Sequence, residues 1–450
     1  MRRARQLGVG RLSAWTLAAT IFFVVSGGPY SAEQVVGLSG PLVGLLILCA
    51  MPLVWAGPVA LLTSELVATI PEEGGYYVWV KRALGPFAGF QCAWWSWVSS
   101  WVDVALYPLL ALEYGSRVVP AIGSGPMHIA CIVAIVAVFA WINMFGIRAV
   151  GLSSNWMMLL LLAPFVALTV LGIGKAIGGG AHAVPTLNPG WKWTGIGGAV
   201  VYALWNFMGW DSLSTASGEV DQAKRQFPKA LAISLGLVTA AVVLPVAAGI
   251  FLNRDWGSWK ADNGYWPEIA SSGLAALGPV IAIGGALSGL GLFSANMLAS
   301  SRLPFVLGQD GYLPHWVTAQ HPKYKTPWAG ILICAVFAIA FARDSFQNLL
   351  ATDITLYLVS LILEFVALLI LRRRRTPEET GFKIGGGWPV LIALTVVPTL
   401  VALGALGLQL DPDLALSSWK VAPILLTLAF LVSGPIAYAA LRGRFRTSDA

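Results

Sequence analysis

The stretch VVSGGPYSAE, residues Val24 to Glu33, interrupts a hydrophobic run that is otherwise long enough to cross a membrane. Two adjacent glycines followed by a proline do not continue a helix, and the glutamate beyond them is costly in hydrocarbon. Backbone groups freed by such a break are tolerated in a membrane only where protein, water or a ligand satisfies them. A simple proline kink would not explain Glu33, so the stretch predicts a membrane helix broken where a ligand binds.

The composition is typical of a polytopic membrane protein. Of the 450 residues, 57% are hydrophobic and 11% are charged, whereas soluble domains have roughly 25% charged residues. No run is left over for a soluble domain, so we expect an all-α integral membrane protein with one transmembrane domain, residues 1–450. Twelve apolar runs predict twelve transmembrane helices, at about 13–37, 42–68, 87–118, 128–146, 154–174, 196–219, 229–252, 273–301, 328–342, 346–371, 389–408 and 421–441.

The basic residues predict the orientation. If the twelve runs alternate across the membrane, 21 of the 28 lysines and arginines fall on the side of the N-terminus. Positively charged segments remain in the cytoplasm, so we expect a multi-pass protein of the plasma (cytoplasmic) membrane with both termini cytoplasmic. The net charge of +7 follows from this orientation and from attraction to membrane lipid, and no nucleic-acid partner is expected.

A second interrupted run carries WNFMGWDS, residues Trp205 to Ser212. Near the middle of this run, five helices after the first break, lie the polar residue Asn206, the helix-breaking Gly209 and the acid Asp211. Paired interruptions at corresponding positions of two halves indicate an inverted-repeat transporter. We therefore predict a first repeat at about 13–174 and a second at about 196–371, with helices 11 and 12 (about 389–441) outside this 5+5 core.

Acids dominate the charged residues within the predicted spans, and no lysine or arginine lies near the middle of a span. Each such charge costs about 2.5–3.5 kcal/mol on insertion scales, so protonation, solvation or a substrate cation is required. Glu65, Glu113 and Glu364 lie near helix ends, where an acid can reach the interface, and Asp353 lies near the predicted outer surface. The acids within or near the spans are Glu33, Glu65, Asp103, Glu113, Asp211, Glu219, Asp353 and Glu364.

The spacing around two of these acids favours amine binding. Asp103 and Tyr107 are four residues apart, as are Asp353 and Tyr357, so each pair shares one helix face. Ser99 and Ser100, one turn before Asp103, extend that face as a polar stripe, and an aromatic ring beside a carboxylate suits an alkylammonium group.

No catalytic or metal-binding constellation is present in the sequence. The chain has no HExxH, GxSxG or P-loop motif, its four histidines lie near loops, and its four cysteines lie in apolar runs without a CxxC pair. We expect neither an enzyme nor a cofactor or metal site.

Three longer segments resemble the amino acid–polyamine–organocation superfamily of secondary transporters. They are SELVATIPEEGGYYVWVKRALGPFAGF (64–90), WNFMGWDSLSTASGEVDQAKRQFPKAL (205–231) and SSRLPFVLGQDGYLP (300–314). SGGPYSAE and WDSLSTASGEV are most similar to the polyamine-uptake branch, which is related to the L-type amino acid transporters. The resemblance covers about ten helices and implies a LeuT-like core with broken helices 1 and 6.

The resemblance also implies a substrate site at the two breaks, with Trp205 as the gate above it. Helix 1 would contribute Ser26, Gly27, Gly28 and Pro29; helix 6 Trp205, Asn206, Phe207, Met208, Gly209 and Asp211; helix 3 Ser99, Ser100, Val104 and Tyr107; and helix 8 Asn296. To these we add Tyr30, Glu33, Asp103 and Tyr357 as candidate binding residues. Asp211, Glu33 and Asp103 are the candidates for proton coupling.

Departures from the superfamily pattern shape the expected function. Pro29 removes an N–H donor from a turn that cradles a carboxylate in other members, and Glu33 adds negative charge there. The position of a helix 5 lysine found in some members is Leu161, and the loop at about 115–128 has no cysteine. We therefore expect no disulfide-linked partner, a monomer or homodimer, and a substrate with amines and no carboxylate.

The expected function is secondary active transport of cationic amines such as putrescine or spermidine, proton-coupled and by alternating access. The alternative is a transporter or exchanger of neutral or cationic amino acids. A sensor is less favoured, because it usually carries an added soluble domain. A channel is also less favoured, and it would be recognised by continuous conduction that does not saturate. Glu33 can instead be a structural acid that caps the second half of helix 1.

Overall fold

The computed structural model describes residue 7, residues 12–179, 194–260, 265–342, 346–374, 381–410 and 421–442, and residue 444. All regular secondary structure in these ranges is helical. The prediction that both termini are cytoplasmic concerns residues 1–6, 8–11 and 445–450, which lie outside the described residues.

The α-helices are numbered in chain order. They are α1 (Ala14–Val25), α2 (Glu33–Ser39), α3 (Pro41–Met51), α4 (Gly57–Thr69), α5 (Tyr76–Leu84), α6 (Pro86–Ser116), α7 (Gly125–Met144), α8 (Ile147–Gly178), α9 (Thr194–Trp205), α10 (Ala223–Leu252), α11 (Trp266–Gly273), α12 (Leu277–Ser300), α13 (Arg302–Gln309), α14 (Trp328–Phe341), α15 (Phe346–Arg374), α16 (Gly387–Leu410) and α17 (Val421–Leu441).

The described helices are those of a membrane protein. Seven helical segments are long and apolar enough to cross a membrane, and four shorter apolar helices accompany them. Large apolar side chains are exposed on the outer surface of the bundle, among them Leu53, Trp156 and Ile177. Exposure of so many apolar side chains to water would be unfavourable, whereas lipid accommodates them. The all-helical membrane fold predicted from composition is therefore confirmed.

The first predicted break lies between α1 and α2. Gly27 and Gly28 have φ angles of 61° and 105°, a region that favours glycine. A Cβ atom on Gly27 would also come within 2.7 Å of the Leu292 side chain on α12. The glycines therefore allow both the turn and the close approach of α12 to the broken helix.

Side chains of the protein satisfy the carbonyl groups that this break exposes. Ser288 Oγ donates to the Gly27 carbonyl at 2.6 Å, and Ser26 Oγ donates to the Gly28 carbonyl at 2.8 Å. Trp266 Nε1, at the start of α11, donates to the Pro29 carbonyl at 2.8 Å. The break is thereby held by α11 and α12, as burial of free backbone groups requires.

The second break follows α9, which ends at Trp205, and includes Gly209 with a φ angle of 88°. The apolar run at 196–219 predicts a helix on both sides of the break, but Ser212–Glu219 forms a 3-10 helix. Thr215 Oγ1 donates to the Ser212 carbonyl at 2.9 Å. Serine and threonine side chains that bond to nearby backbone compete with α-helical pairing, which explains this difference.

The two breaks face a shared interior. Helix α6 packs along α12 and α15, α8 packs along α10 and α12, and α1 lies against α8, α10 and α12. The polar stripe of α6, the acids of α15 and the two breaks are consequently brought to the centre of the bundle.

Candidate functional site

A cavity lies between the two breaks at the centre of the bundle. Of the residues predicted to bind substrate, those that line it are Ser26, Ser99, Ser100, Asp103, Tyr107, Trp205, Met208, Gly209, Asp211, Asn296 and Tyr357. Helices α1, α6, α9, α12 and α15 therefore all contribute to one site.

Three carboxyl groups line this cavity: those of Asp103, Asp211 and Asp353. Of the described residues that line it, none is a lysine, an arginine or a histidine. The site therefore has hydroxyl donors and acidic groups but no cation of its own. Charged groups in such surroundings must bind a proton or a cationic ligand to be stable.

Asp103 and Asp353 face each other across α6 and α15. Tyr107 OH donates to Asp103 Oδ1 at 2.5 Å, and Ser99 Oγ donates to Asp353 Oδ1 at 2.5 Å. The two carboxyl groups interact electrostatically, and Asp353 Oδ2 has no hydrogen-bond partner among the described residues. One acceptor oxygen of this pair thus remains for a ligand.

Asp211 lies beside the second break and is tied to α15. Tyr357 OH donates to Asp211 Oδ1 at 2.5 Å and accepts from the Gly209 N–H at 3.0 Å. The tyrosine thereby fixes the position of the carboxyl group relative to the unwound backbone. Because Asp211 is only 3% exposed, a bound cation would be largely shielded from water.

Residues 12–430 match a family model described as amino acid permease. The chain belongs to this family, which is part of the amino acid–polyamine–organocation superfamily. The permease is thus a transporter and not an enzyme.

Named relatives agree with this placement over most of the chain. The permease is 35% identical to polyamine transporter PUT1 of Oryza sativa subsp. japonica, over 94% of this chain and 76% of the relative. It is 32% identical to polyamine transporter RMV1 of Arabidopsis thaliana, over 96% of this chain and 86% of the relative. An uncharacterized transporter of Mycobacterium tuberculosis is 28% identical, over 75% and 72% of the two chains.

Glu33 does not line the cavity, although it was a candidate for substrate binding. It is the first residue of α2 and fully buried, and its Oε1 accepts from Tyr114 OH at 3.3 Å and from the Tyr265 N–H at 3.2 Å. These contacts join α2 to α6 and to the segment before α11. These contacts favour the other role that the sequence allows, a structural acid at the start of α2, and Glu33 Oε2 has no hydrogen-bond partner among the described residues.

Seven further predicted residues do not line the cavity: Gly27, Gly28, Pro29, Tyr30, Val104, Asn206 and Phe207. Tyr30 OH donates to the Ile281 carbonyl at 2.8 Å, Asn206 Nδ2 donates to the Tyr202 carbonyl at 2.9 Å, and the Phe207 carbonyl accepts from Trp210 Nε1 at 2.8 Å. These contacts hold the backbone of the two breaks in place.

Two acids of α15 differ from their predicted positions. Asp353, predicted near the outer surface, is 1% exposed and lines the cavity; Glu364, predicted near the interface, is 0% exposed. The spacing indicates that these acids point the same way, because Asp353, Tyr357 and Glu364 lie four and seven residues apart and share one helix face. Tyr76 of α5 also lines the cavity, and no sequence pattern indicated it.

Two buried acids away from the cavity, Glu65 and Glu219, have arginine partners. Arg302 donates to both carboxyl oxygens of Glu219, at 2.6 Å and 3.0 Å, and Arg372 makes a two-bond contact with Glu65. All four side chains are at least nine-tenths buried. The two pairs fasten the ends of α4, α13 and α15 to neighbouring segments.

Glu73, between α4 and α5, lies next to one of these pairs. Its Oε1 accepts from the Leu7 N–H at 2.7 Å. Burial raises the pKa of Glu73 to about 7, opposed by the Leu7 hydrogen bond, while the Glu219 charge adds to the rise and Arg302 opposes it. This carboxyl group therefore titrates near neutral pH.

Proposed function

We propose that the permease is a secondary active transporter of cationic amines, with putrescine- and spermidine-type polyamines as its substrates. The observation that carries this proposal is the set of three carboxyl groups that line one central cavity, in which no described lining residue is basic. An alkylammonium group supplies the missing positive charge, and Tyr107 and Tyr357 provide aromatic rings beside it. The two plant relatives, both named as polyamine transporters, support the same substrate class.

The first break favours a substrate without a carboxylate. The N–H groups of Ser26 and Gly27 both donate to the Phe22 carbonyl at 3.0 Å, and Pro29 has no N–H. Three positions of the turn consequently offer no donor to an anion. A carboxylate in the cavity would also meet the charge of Asp211.

The arrangement of the acids favours at least two ammonium groups in one substrate. Asp103 and Asp353 form one acidic pair between α6 and α15, whereas Asp211 lies at the second break and is bonded to Tyr357. A diamine can contact both the pair and Asp211 with its two ends, whereas a monoamine can contact one. Selectivity for diamines over monoamines follows from this arrangement.

The transport cycle that we propose is alternating access between two inverted halves of five helices within twelve spans. Both breaks border the same cavity and are held by hydrogen bonds to α12 and α15, so movement of the broken helices would open the site. Proton coupling would use Asp211 or Asp103, since both line the cavity, while Glu33 lies outside it. We place the permease in the plasma membrane with cytoplasmic termini, as a monomer or homodimer.

Transport of neutral or cationic amino acids is the second candidate, and the description of the matching family as amino acid permease favours it. Uptake by purified permease in proteoliposomes separates the two. We expect uptake of radiolabelled putrescine that spermidine inhibits, that arginine, lysine and leucine leave unchanged, and that responds to a pH gradient. Uptake of leucine or arginine without competition by putrescine would establish the alternative.

A further inference from the structure

Glu364 is a buried acid that the proposed binding site does not use. It lies within α15, it is 0% exposed, and neither carboxyl oxygen reaches a hydrogen-bond donor among the described residues. Its carboxyl group faces that of Asp211 closely enough for direct electrostatic interaction. A hydrogen bond between two carboxyl groups exists only when one of them carries a proton.

Among the described residues, the groups that interact with Glu364 supply no positive charge. Asp211 faces it from the second break, Tyr357 from its own helix, Tyr76 from α5 and Cys92 from α6. None of these four groups is a cation. The nearest arginine of the same helix, Arg372, is already paired with Glu65.

We propose that Asp211 and Glu364 share one proton in the substrate-free permease, and that an ammonium group bound at Asp211 displaces this proton. The inference rests on the proposed function and assigns its proton step to a pair of residues. Two neighbouring carboxylates without a cation cannot both be ionised at low cost. When the ammonium group arrives, its charge replaces that of the proton, which leaves the pair through Asp211, the member that lines the cavity, and passes to water.

The number of protons displaced determines how the amine Kd depends on pH. The substrate-free pair holds one proton on two carboxyl groups, and the occupied pair holds one ammonium group on two carboxylates, so the net charge of the pair is unchanged. By linkage, displacement of one proton makes the amine Kd fall about tenfold for each unit of rising pH, throughout the range in which the pair is protonated. Glu364 is therefore a positioning residue for the proton and not a direct ligand of the amine.

The test is the pH dependence of radiolabelled putrescine binding to the purified full-length permease. Glu364→Gln removes the titrating group but keeps a hydrogen-bond donor for Asp211, and Glu364→Asp keeps the acid. Glu113→Gln, on α6 and outside the cavity lining, is the matched control for loss of a carboxyl group. In Glu364→Gln we expect the slope of log Kd against pH to become less negative by about one, and in the other two variants we expect it to stay at the wild-type value.

Proton release from wild-type protein provides a measurement that needs no variant. Putrescine added to permease in weak buffer with a pH dye should release protons, and Glu364→Gln should release about one fewer per bound amine. Wild-type protein that binds putrescine without proton release, or a slope that Glu364→Gln leaves unchanged, overturns the inference alone. Wild-type protein that binds no amine at any pH overturns the proposed function together with it.

Discussion

Two groups of buried acids in the permease differ in their partners. Glu65 on α4 and Glu219, at the end of the 3-10 helix Ser212–Glu219, are each paired with a buried arginine. Around the cavity, Asp103, Asp211 and Asp353 accept hydrogen bonds from tyrosine and serine hydroxyl groups and have no described cation beside them. The charges of Glu65 and Glu219 are therefore neutralised within the protein, whereas the acids of the cavity require a proton or a substrate cation.

The largest expected effect comes from breaking a complete pair. Arg302→Met leaves the Glu219 carboxylate buried without a cation, and we expect a loss of about 3–5 kcal/mol in the free energy of unfolding. Reversible unfolding in detergent micelles measures this loss. The double variant Glu219→Gln with Arg302→Met should recover most of it, and equal stability of the single variant and wild type would show that the pair is dispensable.

Removing an acid from the cavity should affect binding and leave the fold intact. Asp211→Asn keeps the hydrogen bond to Tyr357 but removes the charge, and we expect putrescine affinity to fall about 30-fold or more, the equivalent of at least ~2 kcal/mol. Equilibrium binding measures this, with Glu113→Gln as the control. An affinity equal to that of wild type would remove Asp211 from the site, and a large loss of stability would place it in the first group.

Glu73 lies next to the Glu219–Arg302 pair but has no arginine hydrogen-bond partner of its own among the described residues, and it titrates near neutral pH. Its pKa of about 7 in the folded protein lies above the ordinary value of 4.5, so its contribution to stability is fully present below about pH 4.5 and is lost as the pH rises through about 7. Thermal unfolding between these limits should show a loss of about 1–3 kcal/mol. In Glu73→Gln that loss should disappear, and a persistent loss would assign it to another group.

The smallest effect is expected at an exposed pair. Arg117 and Glu268 form an ion pair in which the two side chains are 34% and 39% exposed. Because water screens both charges, Arg117→Met should change the free energy of unfolding by about 1 kcal/mol or less. A loss as large as that of Arg302→Met would mean that burial is not what separates strong pairs from weak ones.

The sequence predicted the broken helices and the acidic centre, because charged residues are rare within membrane spans and adjacent glycines with a proline interrupt a helix. Asp103 and Asp211 were identified for the same reason. The position of Asp353 and Glu364 depended on neighbours: α15 is surrounded by α5, α6, α16 and α17, so its acids are buried well away from its middle. Counting residues from the ends of a hydrophobic run does not reveal such packing.

For a related reason the sequence leaves open which of its two roles Glu33 has. Its partners, Tyr114 and Tyr265, are 81 and 232 residues away in the chain. Only the folded arrangement shows that protein donors occupy Glu33 Oε1, whereas the acids of the cavity face an open space. Local sequence indicates that an acid is present, and long-range packing decides what it binds.

The central claim is that the cavity acids without a cation bind the ammonium groups of the substrate. It is tested most directly by the equilibrium affinity of putrescine, compared with that of butylamine, for wild type and for the triple variant Asp103→Asn, Asp211→Asn and Asp353→Asn. We expect wild type to bind putrescine more tightly than butylamine, and the triple variant to bind neither measurably while remaining folded. A folded triple variant that binds putrescine as tightly as wild type would contradict the account.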